Sequence, residues 1–254
     1  MNEHASMHYP NTVEFQAQQE VLKHIAPLAA QAARTDTLFE GATTTIAEHA
    51  TPGPRAKVVL ILLARIANDF RVCCLTSLLG YGLQAFGLAA SMMEILGALA
   101  FVGDSEDRAI KWAEHKDPGH SYPPTVKEGI DAALTALGIS DPAARDDWQK
   151  AYKHMCMAKH ANPKLSMLQG LYTQPSGLHH VFGPDTTQLG VFLAAEALSR
   201  AIRYSTAAIL VAAQHCSDES LRQLLRDESR DIQSKVNSLE PLLSQLERSA
   251  MAAA

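Results

Sequence analysis

Apolar positions recur along this chain at three- and four-residue steps, and no stretch of any length alternates in the manner of a strand. Val21, Leu22, Ile25 and Leu28 begin the pattern, after an Asn11–Glu14 pair that resembles a capping box; Pro27 is expected to kink or divide that helix. Thr51-Pro52-Gly53-Pro54 is a break. A long helix then starts near Arg55, with Val58, Leu62, Arg65 and Asp69 on one face, and bends or restarts at Gly80-Tyr81-Gly82 before running to Val102. Five further helices are marked by their ends. Asp104 or Ser105 caps one that carries Glu106 and Asp107 in its first turn and stops at Asp117-Pro118-Gly119. Thr125 and Glu128 open the next as a capping box, closed by Gly138, and Asp141-Pro142 starts another that reaches about His160. Asp185 with Gln188 begins a helix to about Gln214. Ser217 or Asp218 caps the last, with an apolar stripe from Leu221 to Leu239, and Pro241 restarts it as a short final segment.

The pattern predicts an all-α protein, an antiparallel helical bundle with a long loop, Ala161 to Thr187, before the last two helices. A loop of that length rich in Gly and Pro is expected to carry function or to lack order. Residues 1–10 are expected to be a flexible lead-in to a single domain spanning 11–250.

The stretch from Val72 to Val102 holds one formal charge, Glu94, and is long enough to cross a bilayer. Gln84, Gly87, Ser91 and Glu94 nevertheless fall at helical steps and form a stripe of polar and small residues. That stripe suits close helix approach and an internal hydrogen-bonded network, so an interior bundle helix is expected rather than a membrane span. Glu94 is then expected to pair with Arg65 or Arg71 of the preceding helix, because an unpaired buried carboxylate is too costly. A desolvated Glu94 could instead serve as a general acid or base, or hold a metal.

Composition narrows the function classes. The 254 residues carry a net charge of -5, which gives no overall basic field for nucleic acid; no DNA partner is expected. Cys73, Cys74, Cys156 and Cys216 show no CxxC spacing and read as free thiols, and with no apolar leader visible in Met1–Tyr9 a cytoplasmic location is expected. No phosphate loop, nucleophile elbow, HExxH or Glu-x-x-His pattern is present, and no cofactor is expected.

Cys156 and His160 stand one helical turn apart and could face a zinc ion with His179 and His180 from the long loop, but capping of the helix C-terminus explains His160 as well. His179 and His180, with Gly177 and Gly183 on either side, suggest a shaped loop over a pocket. Tyr152 and the two tryptophans read as core or core-edge aromatics.

Leu88 to Phe101 around Glu94, and Ala151-Tyr152-Lys153-His154-Met155-Cys156 through Lys159-His160-Ala161-Asn162-Pro163, resemble a group of uncharacterised bacterial all-helical proteins distantly similar in shape to HEPN domains. HEPN ribonucleases carry an Arg followed within a few residues by a His. That resemblance implies a metal-independent endoribonuclease using Arg108 and His115, with RNA as a partner under that reading alone. Binding or association remains the first expectation, with Glu94, Gln84, Ser91, Arg65, Arg71, Tyr152, His160, His179 and His180 as candidate binding residues. Leu239, Leu242, Leu243 and Leu246 would supply a homodimer surface. A metal-binding hydrolytic protein built on Glu94, His160 and the paired histidines is the third reading.

Overall fold

The computed structural model describes residues 12–116, 124–160, 171–174, 177–180 and 183–253. The expected lead-in at 1–10, the Asn11 cap and the Asp117-Pro118-Gly119 stop lie outside them, as do Asn162 and Pro163. The described residues form nine α-helices and one β-hairpin. In order they are α1 (Thr12–His49), α2 (Pro54–Leu78), α3 (Gly82–Gly103), α4 (Glu106–Glu114), α5 (Val126–Ala136), α6 (Pro142–Lys159), β1 (Leu171–Gln174), β2 (Gly177–His180), α7 (Gln188–Ala213), α8 (Glu219–Asn237) and α9 (Glu240–Ala253). The fold is the expected all-α bundle.

Local chemistry explains most of the boundaries. Ile25 leaves helical geometry at φ -120°, ψ 16°, two residues before Pro27, whose ring crowds the preceding turn and whose missing N–H removes a hydrogen bond. The capping box at Thr125 and Glu128 is formed in both directions. Asp141 accepts from the Ala143 N–H ahead of Pro142, and Asp218 accepts from the N–H groups of Ser220 and Leu221. Gly80, at φ +86°, makes the turn between α2 and α3. At the start of α7 the cap is Thr187, whose hydroxyl accepts from Gly190, while Asp185 accepts from the Thr187 N–H. The long loop carries an antiparallel hairpin with Tyr172 opposite His179 and Leu171 opposite His180.

Helices α3 and α7 are the hub. Helix α3 packs against α2, α4, α5, α6 and α7, and α7 also meets α1, α2, α8 and α9. Small residues permit this: Gly97 of α3 crosses Gly129 of α5 so closely that a Cβ on Gly97 would fall 2.8 Å from the Gly129 Cα. Among the described residues α3 is the one helix long and apolar enough to cross a membrane, and 67% of its most apolar window is buried inside the bundle. Glu94 therefore sits on a core helix, on the side where α6 covers it.

The buried face of α2 runs through Val58, Leu62, Ile66 and Phe70, with Arg65 exposed and Asp69 half-buried beside it. One expectation needs correction. The C-terminal leucines do not form a free surface. Leu243 and Leu246 are buried and Leu239 and Leu242 pack against the same core, because α9 lies on α7. Helix α9, which begins at Glu240, is the short final segment expected from Pro241.

Candidate functional site

The polar stripe of α3 meets α6. At Gly87 the absent side chain lets the backbone of Lys159 approach; a Cβ there would lie 3.4 Å from its Cα. One and two turns further on, Ser91 and Glu94 are half-buried, while Gln84 at the start of the stripe is exposed. The Tyr152 hydroxyl donates to Glu94 Oε1 at 2.5 Å, and Lys159 Nζ donates to both carboxylate oxygens at 2.8 Å. Burial, with Cys156 and Glu94 alongside, pushes the Tyr152 phenol well above its ordinary range, so it remains a neutral donor. A carboxylate held by an ammonium on both oxygens and by a phenol on one is a brace between α3 and α6.

The expected partners lie elsewhere. Arg71 donates through Nε to Asp36 at 2.6 Å and through Nη2 to Glu40 at 2.9 Å, tying α2 to α1. Arg65, exposed on α2, stands near Asp69, whose carboxyl burial raises and Arg65 lowers. The pairing fails because α2 turns both arginines away from α3. Lys159, which presents the ammonium instead, comes from the helix that covers Glu94.

The other candidates are dispersed. Helix α4 ends at Glu114, and His115 takes an extended backbone at ψ 116°, so the helical spacing that would return it to the face of Arg108 does not reach it. Arg108 donates to the Phe101 carbonyl and to Asp104, each at 3.2 Å, and stacks over the Phe101 ring. His160 is the C-cap of α6, its N–H donating to the Cys156 carbonyl. Among the described residues no group of three or more His, Cys, Asp or Glu side chains is placed to hold a metal ion. His179 and His180 are adjacent on β2, across from Tyr172 and Leu171.

One concavity was not expected from the sequence. A cleft of about 1020 Å³ opens between the end of α5 and helices α6, α7, α8 and α9. One wall is apolar, made by Leu137, Ile139, Trp148 and Leu210, with Trp148 edge-on to Tyr204 at 5.9 Å between ring centroids. Four arginines also line the cleft, Arg200 and Arg203 from α7 and Arg226 and Arg230 from α8. Arg200 is paired with Glu196 one turn before it. Burial alone would push the Arg200 guanidinium down, but the Glu196 carboxylate and Tyr204 outweigh it and hold it above its usual range. Its Nε is buried with no hydrogen-bond partner among the described residues. Arg203 is held by Asn237, by Glu240 at 2.5 Å and by Ser199 at 3.4 Å. Arg226 and Arg230 stand one turn apart on α8. Arg226 comes no nearer to a carboxylate than 3.8 Å, at Glu219, which already binds Arg222, and Arg230 forms no ion pair among the described residues.

A sequence signal for this cleft existed. Glu196, Arg200 and Arg203 are the only charges in the otherwise apolar and small-residue α7, and they recur at helical steps, as Gln84 to Glu94 do in α3.

No protein-family model matches the chain, and neither a curated protein nor a solved structure was found that matches it.

Proposed function

We propose that this protein is a binding protein of the cytoplasm whose ligand is a small organic anion, a carboxylate or phosphate attached to an apolar body, taken up in the cleft between α6, α7 and α8. The observation that carries this reading is the position of Arg226 and Arg230. Their guanidinium groups face a cleft of ligand size without a tight internal counter-ion, whereas Arg200 and Arg203 beside them are neutralised by Glu196 and Glu240. A guanidinium offers paired donors that match carboxylate and phosphate oxygens. The apolar wall at Leu137, Ile139 and Trp148 suits the body of such a ligand, as is usual where a few polar groups orient a molecule held by apolar contact. The reducing compartment is supported by the four cysteines, which are all free thiols.

The test is calorimetric titration and thermal unfolding with phenyl phosphate, benzoate, inorganic phosphate and phenol. The aryl anions are expected to bind and to raise the unfolding temperature by mass action. Inorganic phosphate should bind more weakly and phenol least. The Arg226→Ala, Arg230→Ala double variant should lose the response while keeping its fold. Absence of any response at millimolar aryl anion, or a response unchanged in the double variant, overturns the reading.

A further inference from the structure

The outer face of α2 presents apolar side chains to solvent in a regular row. Ile61 is 46% exposed, Val72 50% and Leu75 55%, all on the long helix α2. Ala64 and Asn68 complete the same face, and both are exposed. The steps from Ile61 through Ala64 and Asn68 to Val72 and Leu75 are three or four residues, the seam of a helix that packs on another helix. Isolated exposed apolar residues need no explanation, but three large ones aligned with Ala64 on one face of a helix do.

The row is symmetric about Asn68. Ile61 and Leu75 lie equally far before and after it, and so do Ala64 and Val72. A two-fold axis at Asn68 that sets two α2 helices antiparallel therefore places Ile61 against the partner's Leu75, the small Ala64 against the partner's Val72, and the two Asn68 amides against each other. Two aliphatic side chains of equal size face each other, the small Ala64 faces a branched valine, and the one polar residue meets its own copy, which can both donate and accept.

Charge follows the same symmetry. Arg65 and Asp69 lie on one flank of the row, and in an antiparallel helix pair like flanks face each other. Each Arg65 then meets the partner's Asp69, twice per dimer. On the other flank Arg71 is held by Asp36 and Glu40 of its own chain, so no unneutralised like charges oppose there. We propose that the outer face of α2 is a homodimer interface, two copies of this chain packing antiparallel about Asn68 with reciprocal Arg65–Asp69 ion pairs. The face belongs to other elements than the cleft and does not depend on its ligand.

A single pair of helices of this length buries on the order of 1,000 Å² in total, at the low end of specific interfaces. The dimer is therefore expected to dissociate in the micromolar range, where area of this kind without large aromatic anchors places it. Sedimentation equilibrium of the full chain should give a mass above 27.5 kDa that rises with concentration. Leu75→Glu should remain monomeric at ten times the wild-type dissociation constant, with helical circular dichroism unchanged. Arg65→Asp should weaken association at least tenfold, and adding Asp69→Arg to it should restore most of the loss. A wild-type monomer up to about 500 µM overturns the proposal on the same estimate. So does a dimer indifferent to Leu75→Glu, or a charge reversal that Asp69→Arg does not rescue.

Discussion

Lys159 holds Glu94 from 65 residues further along the chain, its ammonium 2.8 Å from each carboxylate oxygen. Tyr152, two turns before Lys159 on the same helix, adds its hydroxyl at 2.5 Å. The lone charge of the most apolar helix thus fastens α6 to the core, and its chemistry is that of a fixed contact.

Because both partners of the pair are about one-third exposed, its contribution is modest. Lys159→Ala is expected to cost about 1 kcal/mol and Tyr152→Phe a similar amount, with Glu94→Ala the largest of the three. Urea unfolding of the single variants and of the Glu94→Ala, Lys159→Ala pair measures the coupling. A pair coupling indistinguishable from zero would show the contact to be idle.

The crossing of α3 and α5 tolerates no side chain. Gly97→Ala would drive a methyl to within 2.8 Å of the Gly129 Cα and 3.0 Å of its carbonyl carbon, both backbone atoms. A loss of about 1–3 kcal/mol is expected from the forced separation of the two helices. Chemical denaturation reads it directly; Gly138→Ala, at φ +72° with open space around it, should cost less and only through backbone strain.

The Glu196–Arg200 pair is more deeply placed than the brace, with both side chains mostly covered. Arg200→Met alone leaves Glu196 without its counter-ion and is expected to destabilise by about 2 kcal/mol or more. The double change Arg200→Met with Glu196→Gln should recover much of that loss. Recovery measured by urea unfolding separates the cost of the stranded charge from the worth of the pair.

His215 gives the protein a pH-dependent term. Burial, with Arg55 nearby, holds its imidazole below its ordinary value of 6.5. A histidine lowered on folding contributes stability that is present above 6.5 and lost as pH falls from there through the folded value. Stability should therefore decline just below pH 6.5, and His215→Gln should flatten that part of the profile. Glu128 and Asp218 are lowered by their caps, chiefly by the hydroxyls of Thr125 and Ser220, and their contribution disappears later, as pH falls below the ordinary carboxylate range. A His215→Gln profile that superimposes on the wild type overturns the assignment.

Thiol chemistry should be slow at the core. Burial pushes the Cys73 thiol up to about 12, and Cys74 is raised by burial and by Cys73 beside it. At pH 8 both are expected to react with an aromatic disulfide reagent only on unfolding, because the thiolate is the reactive form. Rapid native-state modification of Cys73, located by peptide mapping, would contradict the packing of α2.

What could be read from the residues alone was local. Thr125 with Glu128, Asp141 with Pro142, and Asp218 satisfy N–H groups within three residues, Gly80 and Gly138 supply turns, and Pro27 disturbs its own preceding turn. Helical period then marks the buried stripe of each helix, and these together determined an all-α bundle. Which helix covers which stripe is a different kind of fact. Glu94 was expected to find Arg65 or Arg71 because they are near in sequence, but α6, not the charged side of α2, lies over it. The leucines of α9 looked like a free surface until α7 covered them, while Ile61, Val72 and Leu75 of α2 are left exposed by the other described helices. The arginine cleft needs five helix segments at once. Pairing across such distances depends on the summed packing of every helix face, and only the tertiary structure performs that sum.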